Sequence, residues 1–420
     1  MPATAADQPG LLRRLDTSDA VVIGLGAMIG AGIFAALGPA AEAAGAAMLL
    51  SLVIAGAVAW CNATSSAELA ANYPESGGTY VYGRERLGEW WGYLAGWGFV
   101  TGKTASCAAM ALAFGAYLSP QLSKPLAVTA VLVLTALNYR GIARTLAATR
   151  VILVLVLAVL AGVVIAALFG GEADTANLRP FFDSSAYGVL QAAAILFFAF
   201  AGYARIATLG EEVNDPAHTI RRAVPIALGL ALLIYATVII SSLLAVGPAA
   251  LAASAAPLET VVSAGDLEWF SPAVKAGAAI ASLGVLLSMI AGVSRTSLAM
   301  ARRRDLPNCL AAVHPVYRVP HHADLAIAAL VCAIVLVTDL RGAIAFSAFT
   351  ILLYYAIANA SALTLAPSER TRSRWIFGLG LAGCLILAAA VPTGAIAAGA
   401  AVLAAGAIGR LLARRVGRRA

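Results

Sequence analysis

The chain has 420 residues, of which 61% are hydrophobic and only 12% charged, against about a quarter charged in a soluble domain. Together with a mean hydropathy of +0.88, this excludes a water-soluble globular protein and calls for a single membrane domain, 1–420, with lipid as its outer solvent. The formal charge of +7 sits in short clusters between apolar runs, which reads as membrane topology, and no nucleic-acid partner is expected.

A helix crossing the hydrocarbon needs about 20 apolar residues, because unpaired backbone groups are costly in lipid. Met1 to Thr17 is polar, carries Arg13 and Arg14 and shows no cleavable signal pattern. Twelve apolar stretches follow, at 20–43, 46–70, 89–118, 124–139, 146–169, 187–211, 222–247, 273–300, 323–339, 343–365, 375–391 and 394–412. The fourth, ninth and eleventh are short. With the N-terminus inside, 21 of the 28 Lys and Arg residues fall on inner loops and 4 on outer ones, while Lys103, Arg205 and Arg295 lie in or near spans. That bias predicts an even number of spans with both termini in the cytoplasm. An alanine- and arginine-rich composition is that of a GC-rich bacterial genome, which puts the chain in the plasma (inner) membrane.

Span one carries Gly24, Gly26, Gly30 and Gly32 within the run IGLGAMIGAGIF. Each glycine costs about 1 kcal/mol in a helix interior, so one reading is a local break. The other is close helix packing through the Gly26–Gly30 spacing. Lys103 lies well inside span three, where a charge costs about 2.5–3.5 kcal/mol. Its ammonium can face a site between broken helices, replacing a coupling cation or titrating with transport. A structural tether to helix carbonyls is the alternative.

Span six holds FFAFAGY at Phe197 to Tyr203, followed by Glu211, Glu212, Asn214, Asp215 and Pro216. It opens the second group of five spans as the glycine run opens the first. Corresponding interruptions in two halves point to a transporter site, where freed N–H groups face an anion and freed carbonyls a cation. Arg295 in span eight, with Glu211 or Glu212, is a gate candidate; for Arg205, snorkelling to the interface is the alternative. His218, His314, His321 and His322 fall in predicted cytoplasmic loops. Ser288, Ser294 and Thr296 can line a sodium site or bond their own helix. Five cysteines without a CxxC pair support no zinc site or disulfide framework, and neither metal nor cofactor is expected. No nucleophile with its base stands at membrane depth, so an enzyme is not expected, and polar rings of a channel are absent.

The stretches GAMIGAGIF, YPESGGTYVYGRERLG and FFAFAGYARIATLGEEVNDP, supported by LNYRGI and SRTSLAMARRRDLP, resemble the amino acid-polyamine-organocation (APC) superfamily of permeases over roughly residues 18–366. The resemblance implies an all-α polytopic membrane protein with about 12 transmembrane helices. It also implies a LeuT-like 5+5 inverted repeat (18–170 and 187–366) with spans one and six broken, plus two peripheral helices at 374–412. It implies a substrate carboxylate at the backbone N–H groups of Ile29, Gly30, Ala31 and Gly32, and an amine at the carbonyls of Met28, Phe198 and Ala201. Phe198 and Phe200 correspond to its aromatic wall, with Tyr203 just past Gly202. Two departures stand out: relatives often carry an acid after the span-six glycine where this chain has Ala204 and Arg205, which disfavours cationic substrates. Some proton-coupled relatives place a lysine in span five, whereas 151–160 is wholly apolar here. The expected function is secondary transport of a small neutral or aliphatic amino acid, with proton symport and exchange both open. A membrane amino acid sensor and a polyamine permease are the alternatives, and the oligomeric state is left open.

Overall fold

Long apolar runs without internal charge can satisfy their backbone in lipid only as helices, and the computed structural model is helical throughout the residues it describes: 15–73, 77–141, 146–170, 173–207, 209 and 213–416. The helices are α1 (Thr17–Met28), α2 (Ala31–Ala44), α3 (Met48–Asn72), α4 (Thr79–Leu87), α5 (Glu89–Leu118), α6 (Ser123–Tyr139), α7 (Leu146–Phe169) and α8 (Ala186–Phe200). There follow α9 (Ala204–Ala207), α10 (Pro216–Ala253), α11 (Pro257–Ser263), α12 (Ser271–Arg302), α13 (His321–Val337), α14 (Leu340–Leu363), α15 (Arg374–Ala390) and α16 (Thr393–Val416). Extended pairing among the described residues is one isolated bridge, Leu15 to Val213.

Nine helical stretches among the described residues are long and apolar enough to cross a membrane, and three further apolar helices, α1, α13 and α15, are shorter. This is a multi-pass membrane protein. The sequence boundaries shift where caps lie outside the apolar windows. Asp215 accepts from the His218 N–H and starts α10 at Pro216, and the same helix runs on to Ala253 past a kink at Gly247, whose φ is 72°. His218 therefore sits in the first turn of α10, and His321 and His322 open α13, where only loops were expected.

At the helix contacts α5 packs against α4, α6, α12 and α14, and α8 packs against α2, α3, α14 and α15. These faces are rich in Ala and Gly, which bring backbones close where lipid supplies no hydrophobic drive between helices. One buried polar hub crosses the core: the Asn359 amide donates to Asn62 Oδ1 (2.6 Å), and Ser65 donates to Asn359 Oδ1 (2.6 Å). The Cys384 thiol also reaches Asn62 Oδ1, at 3.2 Å, so α3, α14 and α15 share a single network.

The arginine-rich end of the bundle is tied by ion pairs. Asp305 accepts from Tyr80 (2.8 Å) and pairs with Arg84 (3.3 Å) and Arg410 (2.7 Å). Arg410 also stacks over the rings of Trp90 and Tyr93, and Arg414 pairs with Glu89. Glu68 pairs with Arg221 (2.9 Å), and Arg86 with Glu369 (2.6 Å). At the opposite end Arg341 pairs with Glu42. Of the five cysteines, Cys309, in the turn between α12 and α13, is the exposed one.

Candidate functional site

Within the glycine run of the first span the helix breaks. Helix α1 ends at Met28; Ile29 leaves the helix with φ −80° and ψ 55°, and Gly30 caps α2 with φ −109° and ψ −141°. The Ile29 N–H donates to Leu25 O at 2.7 Å, so that donor closes α1. The N–H groups opening α2, from Ala31 and Gly32 onward, have no carbonyl one turn below them, and the helix dipole favours an anion at that end. The second interruption is milder: α8 ends at Phe200, Ala201–Tyr203 tighten into a 3₁₀ turn, and α9 resumes at Ala204.

The two interruptions touch. A Cβ placed on Gly202 would lie 2.4 Å from the Ala27 carbonyl carbon, and one on Gly32 would lie 2.7 Å from Ala199 Cα. Neither contact ends on a flexible side chain that could move aside, so only glycine allows this approach at either position. Met28, Ile29, Phe198, Phe200, Ala201 and Tyr203 are all buried around it.

The carbonyls of the breaks are already engaged. The Tyr235 hydroxyl, from α10, lies 2.6 Å from Met28 O and 3.0 Å from Ala199 O, its single proton shared between them. Phe198 O accepts the Ala201 N–H, and Ala201 O has a 3.5 Å contact with the Tyr355 hydroxyl of α14. The rings follow the same pattern: Phe200 packs on Tyr235 and Tyr203 on Tyr355, each pair with centroids 5.1 Å apart. Phe198 makes no ring pair among the described residues. Tyr235 and Tyr355 were not singled out in the sequence, where a tyrosine inside an apolar run such as LLIYATVII reads as packing.

Lys103 is buried on α5 and has no hydrogen-bond or ion-pair partner among the described residues. One turn further along, α5 meets α14 directly, with the Ser106 and Ser347 hydroxyls 2.6 Å apart. Glu211 and Glu212 lie outside the described residues. Arg295 is exposed on α12, and its charge acts on Asp324, a fully buried carboxylate at the start of α13 that accepts from Asn138 (2.8 Å). Of the three hydroxyls considered for sodium, Ser288 is exposed, Thr296 donates to Gly292 O (3.1 Å) and Ser294 is buried. They do not converge on one point. No group of three or more His, Cys, Asp or Glu side chains that could hold a metal occurs among the described residues.

Above the breaks, toward the end bearing Arg341, a cavity of about 260 Å³ is lined by Ala35, Pro39, Leu112, Lys124, Asp339 and Arg341, among others. Ala35 and Pro39 stand on the same helix that begins at the first break, and none of the break residues lines this cavity.

The chain is 58% identical over 410 residues to an uncharacterized transporter of Mycobacterium tuberculosis, covering 98% of this chain and 93% of that one. It is 28% identical to the branched-chain amino acid permease of Bacillus subtilis, covering 76% of this chain and 74% of the relative. With human cationic amino acid transporter 4 it shares 29% identity, over 85% of this chain and 60% of the relative. The amino acid permease family matches residues 19–412, nearly the whole length. With that match over nearly the whole of a multi-pass membrane chain, the chain belongs to the amino acid permease family of the APC superfamily.

Proposed function

We propose that the chain is a secondary transporter of a small neutral or aliphatic amino acid, working by alternating access in a LeuT-like 5+5 arrangement of twelve spans in the plasma membrane, with both termini in the cytoplasm. The observation that carries this is the meeting of the two interruptions: donors without helical partners open α2 at Gly30, and Gly202 presses against Ala27 and Met28 from the other side. In this reading the substrate carboxylate caps α2 through the N–H groups of Gly30, Ala31 and Gly32. Its ammonium approaches Met28 O, whose second lone pair remains available beside the Tyr235 hydrogen bond. Phe198 borders the side chain.

Neutral substrates are favoured because Lys103 places an uncompensated ammonium in the same bundle, which repels a cationic side chain in low dielectric. A relative that is a branched-chain amino acid permease supports an aliphatic side chain. Lys103 is also the residue we assign to coupling, as the buried group whose charge changes or is exchanged during the cycle. The ties at the arginine-rich end, Asp305 with Arg84 and Arg410, and Glu68 with Arg221, hold that side closed until substrate release. Arg295 with Glu211 or Glu212 is proposed as a further gate.

Uptake of labelled amino acids by the purified protein in proteoliposomes, with and without an inward proton gradient, tests the proposal. Saturable leucine or valine flux is expected, lost in Gly32→Ala and kept in Gly229→Ala, where an added Cβ meets nothing within 4 Å. The coupling role expects Lys103→Ala to abolish the pH dependence of flux. Specific binding without flux would replace transport with sensing.

A further inference from the structure

Between α6 and α13, on the outside of the bundle, runs a groove of about 670 Å³ lined by Leu132, Thr135, Ala136 and Arg140 on one wall and by Leu325 and Ala329, among others, on the other. Its walls are apolar along most of their length, and Leu132 and Leu325 are more than half exposed to the surroundings. The groove faces lipid. Its charged end is a single residue, Arg140. Arg140 terminates α6 and is exposed; it makes no ion pair or hydrogen bond among the described residues, and no acidic side chain among them lines the groove. Tyr139 and Tyr317 flank it with ring centroids 6.2 Å apart, at the level where tyrosines collect at a membrane interface. The Asn138–Asp324 hydrogen bond of 2.8 Å closes the seam behind them.

A second observation lies deeper. The Thr135 hydroxyl is buried and has no partner among the described residues, although a helical threonine ordinarily donates to its own carbonyl one turn back. It lines the groove five residues before Arg140, about 7.5 Å along the helix at 1.5 Å per residue. A cation and, below it, a hydroxyl donor, both without a partner among the described residues, and an apolar channel below that complement, in order, the phosphate, ester carbonyl and acyl chain of a phospholipid.

From this juxtaposition we infer that the groove binds one anionic phospholipid from the leaflet facing the arginine-rich end, its phosphate on Arg140, an ester carbonyl on Thr135 and an acyl chain along Ala136 and Ala329. Basic pockets between helices on that side of a membrane protein suit such headgroups, because the anionic leaflet lies there.

Native mass spectrometry of the protein released from bilayers of equimolar phosphatidylglycerol and phosphatidylcholine tests this directly. One retained phosphatidylglycerol per chain is expected, with retention falling about fivefold in Arg140→Gln, the increment for one basic residue at a membrane surface. Thr135→Val should weaken it further, and Ala329→Phe, on an exposed face of α13, should expel either lipid. Added phosphatidylglycerol should raise the Tm of the wild type and leave that of Ala329→Phe unchanged. Equal retention of both lipids, retention indifferent to Arg140, or a second copy of the chain in place of a lipid adduct would each overturn the assignment.

Discussion

The Tyr235 hydroxyl joins three helices through one hydrogen, since the carbonyls it reaches end α1 and precede the interruption of α8. Removing it leaves Met28 O and Ala199 O short of a donor in a buried site. For Tyr235→Phe the expected cost is about 1–3 kcal/mol, the penalty for an unsatisfied buried acceptor, seen as a lower Tm in detergent. Substrate affinity should weaken as well, because the break loses the bond that fixes its carbonyl; an unchanged affinity with a lowered Tm would confine Tyr235 to a structural role. Of this site, the glycines were legible in the sequence because they break a rule that apolar helices otherwise keep. Tyr235 was not, since its importance lies in where its oxygen points.

Helices as units carry the next set of consequences. That the long apolar runs are helices, and most of their limits, could be read from apolar run length, which lipid enforces, while the ends of α10 and α13 could not, because Asp215–Pro216 and Pro320 start helices beyond the apolar windows. The attachment of α16 was invisible for a different reason: Arg410 and Asp305 lie far apart in the chain, and a lone arginine near a span end reads as an interface anchor. Both side chains are nearly inaccessible, at 3% and 4% exposure. Arg410→Ala should cost about 3 kcal/mol, the lower end for breaking a buried pair, because Asp305 keeps Arg84 and Tyr80. Combining it with Asp305→Asn should cost less than the sum of the two, measured by thermal unfolding. Burial and the Asp305 hydrogen bond push the Tyr80 phenol up to about 12, so it stays a donor at every pH of interest. A more exposed tie behaves otherwise. The Arg86 guanidinium holds the Glu369 carboxyl below its ordinary value of 4.5, so the folded state favours the ionised form. That stabilisation is complete above 4.5 and is lost as pH falls through the lower folded value. The Tm gap between wild type and Glu369→Gln should therefore be open at neutral pH and close in acid.

Across the whole molecule, ion pairs fasten both ends while the middle is fastened by backbone contact and tyrosine hydroxyls, and the two arrangements respond to different things. The exposed pairs among them weaken with salt, the buried Arg410–Asp305 pair much less; the Gly32–Ala199 and Gly202–Ala27 approaches do not. One more property of the molecule belongs to its exterior. Cys309 is the exposed thiol of the five, beside the arginine clusters, so nature has supplied a single-site reporter of sidedness. In intact cells an impermeant maleimide should leave it unmodified, and permeabilisation should admit one label per chain. Labelling before permeabilisation would turn the whole topology over, and with it the leaflet from which every arginine-rich loop is read.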